Sequence, residues 1–154
     1  MKRVLIVATV AAAMLSSCAP SGPTSLYNWG GTYKGATLYE NWTYNAEKSQ
    51  TPEDFCELIC VYELLVSNPG GYRKTPPPGI CAEYGYQLLK PNSAAIFKEK
   101  ANKDQKAFAA KFFKTDDYET FFRKRGEEML KKEIELYPES AKFIEPLIKK
   151  LLQQ

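Results

Sequence analysis

Histidine is absent from this 154-residue sequence. Serine and cysteine hydrolases that use an imidazole base are therefore excluded, as are most zinc and haem sites. Long apolar runs are also scarce: after residue 15 none approaches the roughly 20 residues of a membrane-spanning helix. The sequence thus predicts a domain without histidine chemistry and without a spanning helix after that point.

A large charge excess is missing as well. The chain has 21 basic and 18 acidic residues, and two of the basic ones lie in a start that we expect to be removed. The rest carries a net charge near +1, which gives no reason to expect nucleic-acid binding. Its length suffices for one domain with one modest core.

The chain begins like a secreted protein. Lys2 and Arg3 form a short cationic start, and residues 4–15 follow without a charge or a proline. This apolar stretch has the length of a signal peptide and is too short to span a bilayer.

The segment Leu15-Ser16-Ser17-Cys18 resembles the bacterial lipobox. The resemblance implies that residues 1–17 are a lipoprotein signal peptide and that Cys18 becomes the first residue, carrying a diacylglycerol and fatty acids such as palmitate. Ala19 follows Cys18. In the lipoproteins that carry a lipobox, an Asp at this position implies the inner membrane, so its absence here favours the periplasmic face of the outer membrane. A plain secretory signal cleaved at the two serines is the alternative.

Residues 18–33 are predicted to be a lipidated tether that ends in an aromatic strip. Residues 19–26 are rich in proline, glycine and serine, a composition typical of flexible linkers. Tyr27 and Trp29 follow, beside two glycines. The strip either packs on the domain or meets a peptide or a membrane interface, which aromatic side chains favour.

Residues 34–154 predict an all-α domain of about six helices paired as helical hairpins, and no strand. The best-marked helix starts after Thr51, with Pro52 at its first position, and its apolar residues are expected on one face. Pro146 is expected to kink or split the last helix. The predicted helices cover about 36–47, 51–66, 79–89, 92–115, 118–137 and 140–152.

Three cysteines remain after Cys18, and the predicted compartment is oxidising. An odd number suggests one disulfide and one free thiol. Cys56 and Cys60 are four apart on one helix, which is poor disulfide geometry, so a Cys60–Cys81 bond is the favoured pairing. The alternative is that all three are small buried apolar side chains. Three cysteines without histidine make a poor zinc set, so no metal or cofactor is predicted.

No catalytic residue is predicted. Asp116 and Asp117 precede a helix whose dipole they complement, and Glu127 and Glu128 alternate with basic residues as i, i+4 pairs. A lysine-rich stretch follows residue 90 and forms either a solvated face or a contact for anionic lipid or an acidic protein. Its members are Lys98, Lys100, Lys103, Lys106, Lys111 and Lys114.

Part of the chain resembles a tetratricopeptide repeat. Residues 82–86 (Ala-Glu-Tyr-Gly-Tyr) are similar to its first helix, and Gly126, Leu130 and Pro138 to its second. The small positions of the two helices lie about 12 apart in that 34-residue repeat, whereas Gly85 and Gly126 lie 41 apart here. The resemblance implies an insertion at about 90–120, a close approach of two helices at Gly85, and flanking helices that cap the single unit.

The order of features extends the likeness to most of the mature chain. The lipobox is followed by an aromatic strip, Pro77-Pro78-Gly79, the residues 82–86 and a final Tyr137-Pro138-Glu139-Ser140-Ala141. This order resembles a family of small bacterial lipoproteins known as a domain of unknown function (DUF4810). Members are often encoded beside a lipoprotein resembling the curli-secretion channel protein. The resemblance implies an accessory part of an export or surface-assembly apparatus.

We therefore expect a non-enzymatic lipoprotein that binds another envelope protein, helix into groove. Its partners would be the lipid bilayer and envelope lipoproteins, with no nucleic acid and no small-molecule substrate. The expected contact is a concave face of Tyr84, Tyr86 and Tyr118, joined by Tyr27 and Trp29. The alternatives are a small periplasmic enzyme or enzyme inhibitor acting on the cell wall, and a purely structural envelope protein.

Overall fold

The computed structural model describes residues 25–152. Cys18 and the signal segment lie outside the described residues. The lipidation of Cys18 and the removal of residues 1–17 therefore stay predictions. Helices make up most of the described chain, which confirms the all-α fold class. In chain order the elements are β1 (Thr32–Tyr33), β2 (Ala36–Thr37), α1 (Leu38–Ser49), α2 (Pro52–Ser67), α3 (Ile80–Leu89), α4 (Ser93–Lys100), α5 (Lys103–Phe112), α6 (Tyr118–Leu136), a 3-10 turn (Pro138–Ser140) and α7 (Ala141–Leu152).

The described residues contain seven helices rather than six, because the predicted helix at 92–115 is two helices. The break falls at Asn102, whose side chain accepts a hydrogen bond of 2.9 Å from the backbone of Gln105. The Gln105 side chain in turn accepts one of 2.8 Å from the backbone of Asn102. This capping box satisfies two backbone donors and so starts α5 afresh.

A two-stranded hairpin precedes α1, although no strand was expected. β1 and β2 pair antiparallel around a turn in which Lys34 and Gly35 both have positive φ, as a tight hairpin turn requires. Strands of two residues are too short to show an alternating pattern. Thr37 ends the hairpin and caps α1, accepting a hydrogen bond of 3.2 Å from the backbone of Glu40.

Helix α2 is the centre of the fold and packs against α1, α3, α4 and α5. The expected cap is present, since the Thr51 hydroxyl accepts a hydrogen bond of 3.2 Å from the backbone of Asp54. The residues expected on one face, Phe55, Leu58, Ile59, Tyr62, Leu65 and Val66, do share it, but the helices around α2 bury other positions as well. Its buried residues lie all round the helix: Cys56, Leu58, Ile59, Cys60, Val61, Tyr62, Glu63, Leu65 and Val66.

Helices α3 and α6 form the most extensive helix pair, and two glycines let them approach. A Cβ added at Gly85 would lie 2.7 Å from the carbonyl oxygen of Gly126. A Cβ added at Gly126 would lie 2.6 Å from Cγ of Leu89. The predicted close approach at Gly85 is therefore confirmed, with Gly126 as its counterpart.

The last helix is not split. Pro146 lies inside the continuous helix α7, which follows the 3-10 turn that begins at Pro138. Pro146 is the sixth of the twelve residues of α7, so it removes one backbone donor from the middle of the helix. Along the described residues, no helix has both the length and the apolar character needed to cross a bilayer.

The aromatic strip belongs to the domain, so the predicted boundary between residues 33 and 34 does not divide the fold. The backbone N–H of Tyr72 donates to the carbonyl of Ser25 at 3.0 Å, and that of Tyr39 donates to the carbonyl of Trp29 at 3.2 Å. The packing interpretation of the strip is therefore correct. Residues 19–24 of the expected linker lie outside the described part of the chain.

Candidate functional site

An open groove lies between α1, α2 and α3, with a volume of about 670 Å³. Its walls come from α1 and α3, and α2 supplies the floor. Side chains of very different chemistry line it: Tyr39, Thr43, Ala46, Glu47, Gln50, Thr51, Phe55, Leu58, Tyr62, Glu83, Tyr86, Gln87 and Lys90.

Glu83 is held by two side-chain hydrogen bonds inside this groove. The hydroxyls of Tyr39 and Tyr62 both donate to its Oε2 atom, each at 2.8 Å. Burial and the neighbouring Glu83 raise the pKa of both hydroxyls above their usual range, so both remain protonated donors. Glu83 itself is exposed. The groove thus presents a carboxylate to solvent in a fixed position.

The rest of the groove combines an apolar floor with a charged rim. Ala46, Phe55 and Leu58 provide apolar surface. At the rim, the Lys90 ammonium lies 5.0 Å from the ring centre of Tyr86, a cation–π distance. Glu47 adds a second acidic side chain, so the groove carries an excess of negative charge.

Two of the predicted contact residues, Tyr86 and Trp29, lie on or beside this groove, whereas Tyr27 lies against Tyr137. Tyr86 lines the groove and is 39% exposed. Trp29 is half-buried and packs on the groove residue Tyr39, with ring centres 5.1 Å apart. Tyr27 is half-buried beside the hydroxyl of Tyr137, and burial followed by this contact raises the pKa of Tyr137 to about 12.

Tyr84 is not a surface residue, and its assignment to a binding face is wrong. Its side chain is 0% exposed, and its ring stacks on Tyr62 with ring centres 5.7 Å apart. Its hydroxyl donates to Oε2 of Glu63 at 2.8 Å. Residues 82–86 form one turn and a half of α3, so Tyr84 and Tyr86 point in different directions. Only Tyr86 faces the groove.

Tyr118 belongs to a different part of the molecule. Its ring packs edge-on against Phe97, with centres 5.1 Å apart, and contacts Phe113 and Phe122 as well. This aromatic cluster joins α4 and the start of α6. The predicted concave face of Tyr84, Tyr86 and Tyr118 is therefore not formed.

A buried ion pair that the sequence did not predict joins α2 and α6. Arg125 donates to both carboxylate oxygens of Glu63, at 3.1 Å from Nε and at 2.8 Å from a terminal nitrogen. The Ser67 hydroxyl also donates to Glu63, which is 3% exposed. Burial alone would lower the pKa of Arg125, but the hydrogen bonds and charge of Glu63 outweigh it and raise that pKa.

A second buried carboxylate caps α3 from another helix. Glu133 of α6 is 2% exposed and accepts hydrogen bonds from the backbone of Gly79 at 2.7 Å and of Ala82 at 3.3 Å. Gly79 has no side chain with which to cap its own helix. The carboxylate replaces that missing cap.

The favoured disulfide is not formed. Cys56, Cys60 and Cys81 are all buried free thiols, as the alternative interpretation had it. Burial raises their pKa values, to about 11 for Cys56 and about 12 for both Cys60 and Cys81. They are therefore protonated apolar core residues rather than nucleophiles.

The other charged residues lie largely as expected. Asp117 caps α6, accepting from the backbone of Thr120 at 3.2 Å, and hydrogen bonds from the side chain and then the backbone of Thr120 lower its pKa. Glu127 pairs with Lys131 at 2.6 Å, whereas Glu128 pairs with Arg125, three positions earlier. Within residues 25–152, no group of three or more acidic or cysteine side chains is placed to hold a metal ion. The insertion lysines are exposed: Lys98, Lys100, Lys103, Lys106, Lys111 and Lys114.

Comparisons with known proteins find no family model, no curated protein and no solved structure that matches this chain.

Proposed function

We propose that this chain is a lipid-anchored, non-enzymatic accessory protein of the bacterial outer membrane. In this proposal the groove between α1, α2 and α3 binds a helical segment of another envelope protein. The observation that carries the binding role is Glu83, an exposed carboxylate fixed by two tyrosine hydroxyls above an apolar floor. The anchor rests on the lipobox resemblance of residues 15–18.

The chemistry of the groove indicates what kind of segment it would accept. An amphipathic helix would place apolar side chains against Phe55 and Leu58, the usual mode of helix-in-groove binding. A lysine or arginine on the same helix would reach Glu83 and form a charge-assisted hydrogen bond. Glu47 on the opposite wall adds attraction for the same cation.

The buried carboxylates support a binding role over a catalytic one. A catalytic pair needs two carboxyl groups facing a common cleft. Glu63 is instead held by Arg125, and Glu133 by the backbone at the start of α3. Both already have internal partners, and no observation favours the cell-wall enzyme or inhibitor alternative.

The proposal includes the resemblance of part of the fold to a tetratricopeptide repeat. The α3–α6 pair is a tetratricopeptide-like unit with α4 and α5 inserted, and α2 and α7 cap it. The meeting of Gly85 and Gly126 supports this assignment. The partner is another envelope lipoprotein, of the kind that resembles the curli-secretion channel protein, in an export or surface-assembly apparatus.

Site-specific photocrosslinking in the native cells tests the groove. A benzoylphenylalanine at Tyr86 is expected to give a discrete adduct with an envelope lipoprotein. The matched control is Phe143 on α7, an exposed ring that also has a lysine nearby, with Lys142 4.9 Å from the ring centre. Adducts of equal yield from both positions, or no adduct from Tyr86, would contradict the proposed groove.

A charge-neutral substitution tests the role of Glu83 in the same assay. Glu83→Gln keeps one oxygen to accept from the tyrosines but removes the charge, so we expect the adduct yield at Tyr86 to fall about tenfold. Glu145→Gln, at an exposed position of α7, should leave the yield unchanged. An undiminished adduct in Glu83→Gln would show that the carboxylate does not recognise the partner.

A further inference from the structure

The loop after α2 lies directly against the first described residues. The backbone N–H of Tyr72 donates to the carbonyl of Ser25 at 3.0 Å, and that of Arg73 donates to the carbonyl of Leu26 at 3.1 Å. Gly71 has a φ of +73°, and a Cβ there would lie 2.6 Å from the Ser25 oxygen. The loop and the start of the domain therefore form one surface.

This surface has an unusual composition. Tyr72 is 77% exposed and Leu26 is 49% exposed, although both are large and largely apolar. Arg73 and Lys74 are exposed beside them, and residues 69–75 contain no acidic side chain. Tyrosine, leucine and basic residues together are the side chains that favour the boundary between lipid headgroups and acyl chains.

The position of this surface along the chain sets an upper limit on its distance from the proposed anchor. Seven residue steps separate Cys18 from Ser25, and an extended chain spans at most about 3.6 Å per residue. Ser25 therefore lies within about 25 Å of an acylated Cys18. The start of α2 lies about 24 Å from the loop, because this 16-residue helix ends beside it.

We infer that Leu26, Tyr72, Arg73 and Lys74 form a membrane-contact patch that docks on an anionic phospholipid surface beside the anchor. The inference rests on the proposed acylation of Cys18. The lipid chains hold the protein at the bilayer, and the patch determines which end of the domain faces it. The Tyr72 ring and the Leu26 side chain enter the headgroup region, and the two cations pair with lipid phosphates.

Fluorescence of the full-length protein, purified from bacterial membranes and reconstituted in vesicles, tests the patch. In Tyr72→Cys the new thiol takes an environment-sensitive dye, because the three native thiols are buried and the Cys18 sulfur is acylated. Phosphatidylcholine vesicles with about 30% phosphatidylglycerol supply the anionic surface. We expect a blue shift and strong quenching by nitroxide-labelled lipid. The same dye in Glu53→Cys, at the first turn of α2, should show neither.

The contribution of Arg73 and Lys74 to docking is tested in the same vesicles. In Arg73→Gln/Lys74→Gln we expect the docked fraction, measured by quenching at position 72, to fall about tenfold with phosphatidylglycerol. The substitutions should have little effect in pure phosphatidylcholine. A second substitution pair, Lys149→Gln/Lys150→Gln on α7, should leave docking unchanged.

The outcomes separate the patch from the anchor. Protein that floats with the vesicles but shows equal quenching at positions 72 and 53 retains the anchor and overturns the patch. Protein that fails to float at all overturns the acylation of Cys18 and the patch with it. Quenching at 72 alone, reduced by the loss of the two cations, supports the patch.

Discussion

At the scale of single residues, the buried carboxylates of this protein hold the fold together over long sequence separations. Glu63 of α2 binds Arg125 of α6, and Glu133 of α6 caps the start of α3. A buried ion pair contributes little net stability against apolar replacements, but losing one partner costs roughly 3–5 kcal/mol because a charge is left unpaired. These glutamates are therefore structural.

Glu133 should contribute measurably to the pH dependence of the free energy of unfolding. Burial raises its pKa above the ordinary value of 4.5, against the backbone hydrogen bonds that lower it. The folded state thus holds the proton more tightly, so this group's contribution is present below pH 4.5 and is lost as the pH rises through the raised pKa. Glu133→Gln keeps an accepting oxygen but does not titrate. The free energy of unfolding, variant minus wild type, is expected to increase from pH 4.5 to pH 7.

Urea unfolding at several pH values measures this difference. Glu135→Gln, at an exposed position of the same helix, controls for the general loss of one negative charge. A difference for Glu133→Gln that is flat, or that decreases with pH, would contradict a raised pKa.

Sequence reasoning could have suspected Glu63 but not its partner. A charged residue inside an otherwise apolar helical run signals a buried ion pair or a functional group. Arg125 lies 62 positions away on a helix rich in charges, and nothing in its neighbours distinguishes it. The same holds for Tyr84, because residue type alone does not say whether a tyrosine is buried with its hydroxyl bonded.

At the scale of elements, local signals predicted most helix boundaries. Thr51 and Asp117 cap helices where their side chains and the following residues indicated. The break between α4 and α5 was missed because alanine and lysine continue across it, and only Asn102 with Gln105 marks it. The groove was missed for another reason: its lining comes from three helices, and their relative placement depends on tertiary packing.

The crossing of α3 and α6 gives a sharp test of that packing. Gly85→Ala places a methyl group against backbone, at 2.7 Å from the Gly126 oxygen, and should destabilise the fold by about 3 kcal/mol. Gly126→Ala meets chiefly the movable Leu89 side chain, so it should cost about 1 kcal/mol.

Thermal and urea unfolding of the two variants check this order. Leu89→Ala in the Gly126→Ala background should recover part of the loss by making room, whereas it should not rescue Gly85→Ala. A stabilised Gly85→Ala, as expected for an ordinary helical glycine, would contradict the close crossing.

At the scale of the whole molecule, the N-terminal strip connects the two proposed contacts. Its first residues bond to the Tyr72 loop, and its Trp29 supports the groove residue Tyr39. The all-α class was predictable because helix caps and apolar periodicity agree along the chain. Both proposed contacts, of the groove with a partner and of the patch with the bilayer, depend on the proposed attachment of the chain to lipid at Cys18.

Intact-mass measurement of the protein extracted from bacterial membranes tests that attachment most directly. We predict a chain that begins at Cys18, lacks residues 1–17 and carries the added mass of a diacylglycerol and a fatty acid. In Cys18→Ser that added mass and retention in the membrane fraction should both be lost. A mature wild-type protein with an unmodified Cys18, or one cleaved elsewhere, would contradict the account.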